Sequence, residues 1–343
     1  MNRKNDHIKY ALEQDEKQND FDRIRFVHRA IPKISINDVS LKTTICGRAI
    51  DVPIYINAMT GGSDKAKQIN EKLAIIADHF QIPIATGSMS IALKEPDQIE
   101  TFTIIRKNNP NGIVMANLGA DKSEADAKRA IEMLDADIMQ IHLNAIQEII
   151  MPEGERDFTS WYDNLKAIIQ EVSVPVIVKE VGFGMSRYTI SGLKTIGVNT
   201  IDISGRGGTN FAIIENKRRD EKMDFFNSWG LSTVESLLEA STVRDVEILA
   251  SGGIRNAMDV VKALALGANA VGLSSFFLKL VTNNTIEVAI EKTQQLINDI
   301  KSIMTVLGIS LIKNLKRTEI IVDESIYNFI KQRKIDDSVL LYR

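Results

Sequence analysis

VEILASGGIRNAMDVVKALALGANAVGLS, residues 246–274, holds one complete repeating unit. The run Val246–Ser251 is apolar on both faces. A helical pattern follows over Ala257–Leu266, Gly267 supplies the stop, and a second apolar run, Asn269–Ser274, begins at once. Runs apolar on both faces suit parallel strands covered on both sides, with a helix as the crossover. The same unit extends outward along the chain. Similar runs occur at Val52–Asn57, Ile82–Thr86, Ile113–Asn117, Asp137–His142, Val174–Lys179 and Thr200–Ser204, which makes eight in all. Helical spacers at Lys65–Phe80 and Lys122–Leu134 lead into the second and fourth runs. Eight near-equivalent units without an early GxGxxG turn favour an α/β fold of the (β/α)₈ TIM-barrel class over an open doubly wound sheet. The expected organisation is one domain: an N-terminal extension over 1–51, capping the barrel bottom or reaching a neighbour, the barrel over 52–315, and a polar C-terminal extension over 316–343. Thr285–Leu315 is read as the closing helices.

Composition narrows the function. With 42 Lys+Arg against 45 Asp+Glu, the net charge of -3 gives no basic excess for nucleic acid or an anionic membrane. The start, MNRKNDHIKYALEQDEK, has no apolar run after its basic residues, and no stretch has the length of a spanning helix. One cysteine, Cys46, excludes an intrachain disulfide and a thiolate metal site; a reducing cytoplasm fits. Cys46 itself reads as filler, and His28 and His79 as structural.

In such barrels chemistry collects at the carboxyl ends of the strands. Here every run ends in polar residues: Asn57-Ala58-Met59-Thr60, Thr86-Gly87-Ser88, Asn117, His142-Leu143-Asn144, Lys179-Glu180, Ser204-Gly205-Arg206-Gly207-Gly208-Thr209, Ser251-Gly252-Gly253-Ile254-Arg255 and Ser274-Ser275. The two glycine loops after the sixth and seventh runs expose backbone N–H groups beside an arginine and a helix start, which suits a phosphate. Tight βα turns also use such glycines. Lys179 closes an apolar run, where an ammonium needs an anionic partner. It can stabilise charge on a bound ring, form a Schiff base, or pair with Glu180 or another barrel carboxylate. His142, Asn144, Gln147 and Glu148 form the densest polar group; a carboxylate with amides and no thiolate suits Mg²⁺ rather than Zn²⁺, and Glu148 could equally be a solvated loop acid. Arg3, Lys4 and His7, taken alone, read as a solvated terminus.

Seven motifs carry a resemblance. RKNDH at Arg3–His7, FVHRAIP at Phe26–Pro32, NAMTGG at Asn57–Gly62, IHLNAIQEIIMPEGER at Ile141–Arg156, VIVKEVGFGMS at Val176–Ser186, ISGRGGTNFAIIENKR at Ile203–Arg218 and ASGGIR at Ala250–Arg255 are similar to those of the type 2 isopentenyl-diphosphate delta-isomerases. The resemblance implies a barrel that binds FMN, needs Mg²⁺, is kept reduced by NADPH or NADH, and interconverts isopentenyl and dimethylallyl diphosphates. It implies flavin contacts from Ala58, Met59, Thr60, Ser88, Asn117, Lys179, Ser204 and Thr209, with the flavin phosphate near Gly253, Ile254, Arg255, Ser274 and Ser275. Arg3, Lys4 and Gln147 would meet substrate and Glu148 the metal, while Lys179, His142, Asn144 and Gln147 would serve the chemistry. A homotetramer or homo-octamer is also implied. Ser274-Ser275 departs from the Ala-Arg-like pair expected at the eighth strand.

Rival chemistries lack a group. A 2-hydroxy-acid oxidase or dehydrogenase on an FMN barrel uses a His-Arg pair near the seventh strand, and no histidine follows His142. An inosine-monophosphate-dehydrogenase-like enzyme needs a cysteine after the sixth strand, whereas Cys46 precedes the first. A non-catalytic flavin or phosphate scaffold would leave the polar strand ends without a task.

Overall fold

The computed structural model describes residues 3–14 and 18–340. Eight parallel strands close into a barrel in sequence order: β1 (Ile54–Ile56), β2 (Ile84–Ala85), β3 (Val114–Gly119), β4 (Ile138–Leu143), β5 (Val176–Glu180), β6 (Thr200–Asp202), β7 (Glu247–Ser251) and β8 (Ala270–Leu273), with β8 pairing back onto β1. All eight apolar runs of the sequence supply one strand each. The expected helices form at Asp64–Phe80, Glu124–Leu134 and Ala257–Ala265, each N-capped by a side chain that accepts a backbone N–H: Ser63, Ser123 and Asn256. A helix that was not expected precedes the closing one. Ser275–Asn283 starts directly after β8, and the closing helix is Ile286–Val306, ended at Gly308 with φ +68°.

The N-terminal segment serves both ends of the barrel. Thr43–Ile45 and Arg48–Ile50 form a hairpin that turns through Cys46 and Gly47, with φ of 51° and 72°. Its Ile45 and Ile50 pack with Tyr55, Ala85, Met115, Ile138, Ile177, Leu249 and Ala270, which fills the lower barrel. Glu247 fastens the turn by accepting the Cys46 N–H at 2.6 Å and the Thr44 and Thr200 hydroxyls at 3.1 and 2.9 Å. The helix Arg3–Leu12 lies instead at the opposite, C-terminal face, where Lys4, His7, Ile8 and Ala11 border the cleft.

The expectation of a polar tail over 316–343 is corrected. Ile320–Val322 pairs antiparallel with Ile24–Phe26, and the helix Glu324–Gln332 buries Ile326 and Ile330. The apolar residues there recur at helical spacing, so the segment has a face to bury. Glu239, 0 % exposed, receives Arg187 at 3.0 Å and Arg333 at 2.8 Å and so fixes this helix to the barrel wall.

Candidate active site

At the carboxyl ends of the strands the structure opens a cleft of ≈ 820 Å³. It brings together Lys4, Ala58, Met59, Thr60, Ser88, Asn117, His142, Asn144, Gln147, Glu148, Lys179, Ser204, Thr209, Gly253, Ile254, Arg255, Ser274 and Ser275. Arg3 opens the N-terminal helix, but its side chain lies outside the described residues.

Two glycine loops build one wall. A Cβ at Gly205 or Gly252 would lie 2.2 Å or 2.0 Å from backbone atoms, and one at Gly208 would lie 2.6 Å from the Gly253 nitrogen. The loops therefore pack backbone on backbone, which no other residue type allows. The N–H groups of Gly253 and Ile254 meet no protein acceptor among the described residues. Facing the same cleft is the start of the helix Ser275–Asn283, whose Ser274 makes no side-chain cap. Orphan N–H groups from a glycine turn and a helix start make a phosphate seat. Arg255, which lines the cleft beside this loop, also has a structural task. Its guanidinium bonds Asp259 at 2.8 Å and Asp22 at 2.6 and 2.9 Å, so its charge is met by two carboxylates and it braces the N-terminal segment against the loop.

The floor is polar and buried. Strand register sets His142 beside Lys179 and Lys179 beside Asp202. Asp202 is fully buried and accepts from Tyr55 Oη at 2.8 Å, Asn57 Nδ2 at 2.8 Å, Ser251 Oγ at 2.8 Å and the Ser204 N–H at 3.1 Å. Burial lowers the Lys179 pKa, and the charges of Asp202 and Glu180 partly restore it. Its Nζ donates to the Glu180 carbonyl at 2.7 Å, while the Glu180 carboxylate accepts the Val181, Gly182 and Phe183 N–H groups; of the structural options for Lys179, direct pairing with Glu180 is therefore not formed. Burial and the ammonium groups of Lys179, Lys4 and Lys122 push His142 down to about 3.

Glu148 stands at the other end. Its oxygens accept Asn144 Nδ2 and the Glu155 N–H, each at 2.8 Å. Arg156 organises the loop by donating to the carbonyls of Glu148, Met151, Gly154 and Glu155. Gln147 donates to Glu215 at 3.0 Å, and His7 Nε2 lies 2.9 Å from the same carboxylate, which ties the N-terminal helix to the site. Among the described residues no three His, Cys, Asp or Glu side chains gather into a metal cluster, so a metal here would hold one carboxylate and complete its shell elsewhere.

Over 337 residues, 97% of each chain, the sequence is 50% identical to the isopentenyl-diphosphate delta-isomerases of Staphylococcus haemolyticus and Staphylococcus saprophyticus, and 48% identical to that of Staphylococcus aureus. The chain belongs to the isopentenyl-diphosphate delta-isomerase family. The isomerase also matches the FMN-dependent dehydrogenase family model over residues 103–322. Its barrel is similar to a mandelate oxidase mutant with a monooxide FMN adduct, TM-score 0.66 at 17% identity over 93% of this chain and 92% of the other. It is similar too to a flavocytochrome b2 variant with sulfite bound, TM-score 0.66 at 20% identity over 94% and 87%. Those two likenesses concern the fold.

Four residues in or beneath the candidate site escaped the sequence reading. Asp202 had a signal, a carboxylate within the apolar run TIDIS, equivalent to the one that picked out Lys179. Gln140 had the same signal, an amide within the apolar run DIMQIH, while Glu215 and Arg156 fall in quoted motifs but in polar stretches where their residue types are ordinary.

Proposed function

We propose that the chain isomerises isopentenyl diphosphate to dimethylallyl diphosphate and back by a 1,3-allylic proton transfer, in isoprenoid biosynthesis in the cytoplasm. The reading includes reduced FMN, NADPH as the electron source, Mg²⁺ and a homotetrameric or homo-octameric assembly. One observation carries it: a single cleft holds a first seat for an anion, the glycine loops with the helix start, together with Lys4, the carboxylate of Glu148 and the buried ammonium of Lys179.

The residues fit an FMN at the first seat. Gly253, Ile254, Ser274 and Ser275 would hold its phosphate, and Ala58, Met59, Thr60, Ser88, Asn117, Lys179, Ser204 and Thr209 would border its ring. When bound and reduced, FMN supplies an electron-rich ring able to stabilise a carbocation-like state and to exchange a proton. Lys179 would balance negative charge on that ring from below, with Asp202 and its four donors holding the lysine's surroundings rigid. The oxygen donors Glu148, Asn144 and Gln147 fit Mg²⁺, which keeps few protein ligands and shares the substrate's phosphate oxygens. Arg3, Lys4 and the metal would grip the diphosphate, turning remote binding energy into alignment of the alkene. The N-terminal helix then serves as the roof that keeps water out.

The test is exchange of deuterium from D₂O into isopentenyl diphosphate, run anaerobically with reductant and Mg²⁺. Exchange is expected for the wild type and should fall steeply in Glu148→Gln. A colourless protein that takes up no FMN, or flavin reduction by a 2-hydroxy acid without exchange, overturns the reading.

A further inference from the structure

A row of amides runs beneath the cleft, and its direction can be read from the donors at one end. The Asn57 Oδ1 accepts the Ala58 N–H at 2.8 Å, and Asn57 Nδ2 donates to Asp202 at 2.8 Å. A backbone N–H cannot accept and a carboxylate surrounded by donors does not donate, so both ends of the Asn57 amide are assigned independently. Gln140 Nε2 reaches Asn57 Oδ1 at 3.4 Å. Gln140 Oε1 then accepts Asn117 Nδ2 at 3.1 Å, and Asn117 Oδ1 lies 2.9 Å from His142 Nδ1. An amide oxygen only accepts. The proton of that last bond therefore belongs to Nδ1, while Nε2 makes no hydrogen bond with the described residues and the ring borders the cleft.

We propose that Asn57, Gln140 and Asn117 form a polarised amide relay, anchored on Asp202, that holds His142 as the Nδ1–H tautomer and presents the Nε2 lone pair to the cleft. Gln140 is fully buried and absent from the cleft wall, so it is a positioning residue acting through Asn117 and His142. The arrangement also selects what His142 can bind. With Nδ1 carrying the proton, the neutral ring is an acceptor toward the cleft, and it pairs with an N–H or O–H of the bound molecule rather than with a phosphate oxygen. Such tautomer control by the partner of the other ring nitrogen is a general device of histidine sites.

The test reads the ring itself, so it stands apart from the isomerase reading. The purified protein is labelled with ¹⁵N-histidine, the His142 signals are assigned by their loss in His142→Gln, and two-bond N–H correlations report the tautomer. The wild type should show a single Nδ1–H form. Gln140→Met, which keeps the volume and removes the relay, should lose that uniformity and give mixed tautomers or the Nε2–H form. Gln140→Glu, present as the neutral acid, donates to Asn57 and accepts from Asn117, and should restore the wild-type pattern. A wild-type ring in the Nε2–H form overturns the proposal even if no Gln140 variant folds. So does an unchanged single Nδ1–H pattern in Gln140→Met.

Discussion

The same eight strands enclose two different interiors. In the lower barrel, Ile45 and Ile50 of the hairpin meet Met115, Ile138, Ile177 and Leu249 in an apolar layer, with polar pairs only at its margins: the Tyr55 phenol on Asp202, and Glu247 with Thr44, Thr200 and the Cys46 N–H. In the upper barrel, Asn57, Asn117, Gln140, Lys179, Asp202 and Ser251 are as deeply buried, and all are polar. Apolar packing gains from burial whatever the exact partners, within the limits of volume. Buried polar groups gain only when each is paired, and an unpaired one costs more than it contributed. Stability is thus concentrated at one end of the strands and chemistry at the other, with strand alternation carrying both.

The sharpest way to break this comparison is a paired experiment on two inward residues of neighbouring strands. Lys179→Met should lower the exchange rate by about 10²–10³-fold, the scale for removing one preorganised electrostatic group. Its denaturant midpoint should hold or rise, since a buried ammonium is relieved. Ile138→Ala should cost about 2–5 kcal/mol in denaturant melts while the folded fraction keeps its turnover. If both variants lost the same property, the division into two interiors would be wrong.

A smaller effect is expected at Glu239, a buried charge on the outer wall whose role is purely structural. Burial opposes its ionisation, yet Arg333 and Arg187 hold the carboxyl at about 2 against an ordinary 4.5. The unfolded chain takes up this proton near 4.5 and the folded chain only near 2, so the stabilisation is complete above 4.5 and drains away as pH falls to 2. Glu239→Gln should cost about 3 kcal/mol at neutral pH and flatten the acid limb of stability, as urea midpoints over the acid range would show. An unaltered acid limb would remove Glu239 as its source.

The smallest effect belongs to the hairpin turn. Cys46 occupies a left-handed backbone position, and burial pushes its thiol up to about 12, so it is unreactive. Cys46→Asn supplies a residue that visits this region readily and should stabilise by roughly 1 kcal/mol or less. A lower melting midpoint in that variant would mean that the thiol's packing outweighs the turn.

The barrel was legible because its signal is repeated: eight runs apolar on both faces leave few other architectures. The candidate site was legible where a polar residue ended such a run, as Lys179 and Asn117 do, while Asp202 and Gln140, inside their runs, were passed over. Strand ends do not reveal partners, however. Nothing in the residues around Arg255 shows that it also meets Asp22, more than two hundred residues earlier. The tail read as polar because its buried isoleucines are sparse: Ile320 in the short strand, Ile326 and Ile330 on one face of the helix, and Ile335 after it. The unpredicted helix after β8 carries no distinctive start, since Ser274 caps nothing.

The pairing of Ile24–Phe26 with Ile320–Val322 joins segments roughly three hundred residues apart. During synthesis Ile24–Phe26 has to wait for all the residues between before its partner emerges from the ribosome. The connector to the roofing helix, which holds Arg255 through Asp22, lies next to that waiting strand. Long-range closures of this kind form late. A nascent chain can thus complete its eight-stranded barrel, whose last strand ends at Leu273, while the edge of the cleft beside Asp22 still waits for Ile320–Val322.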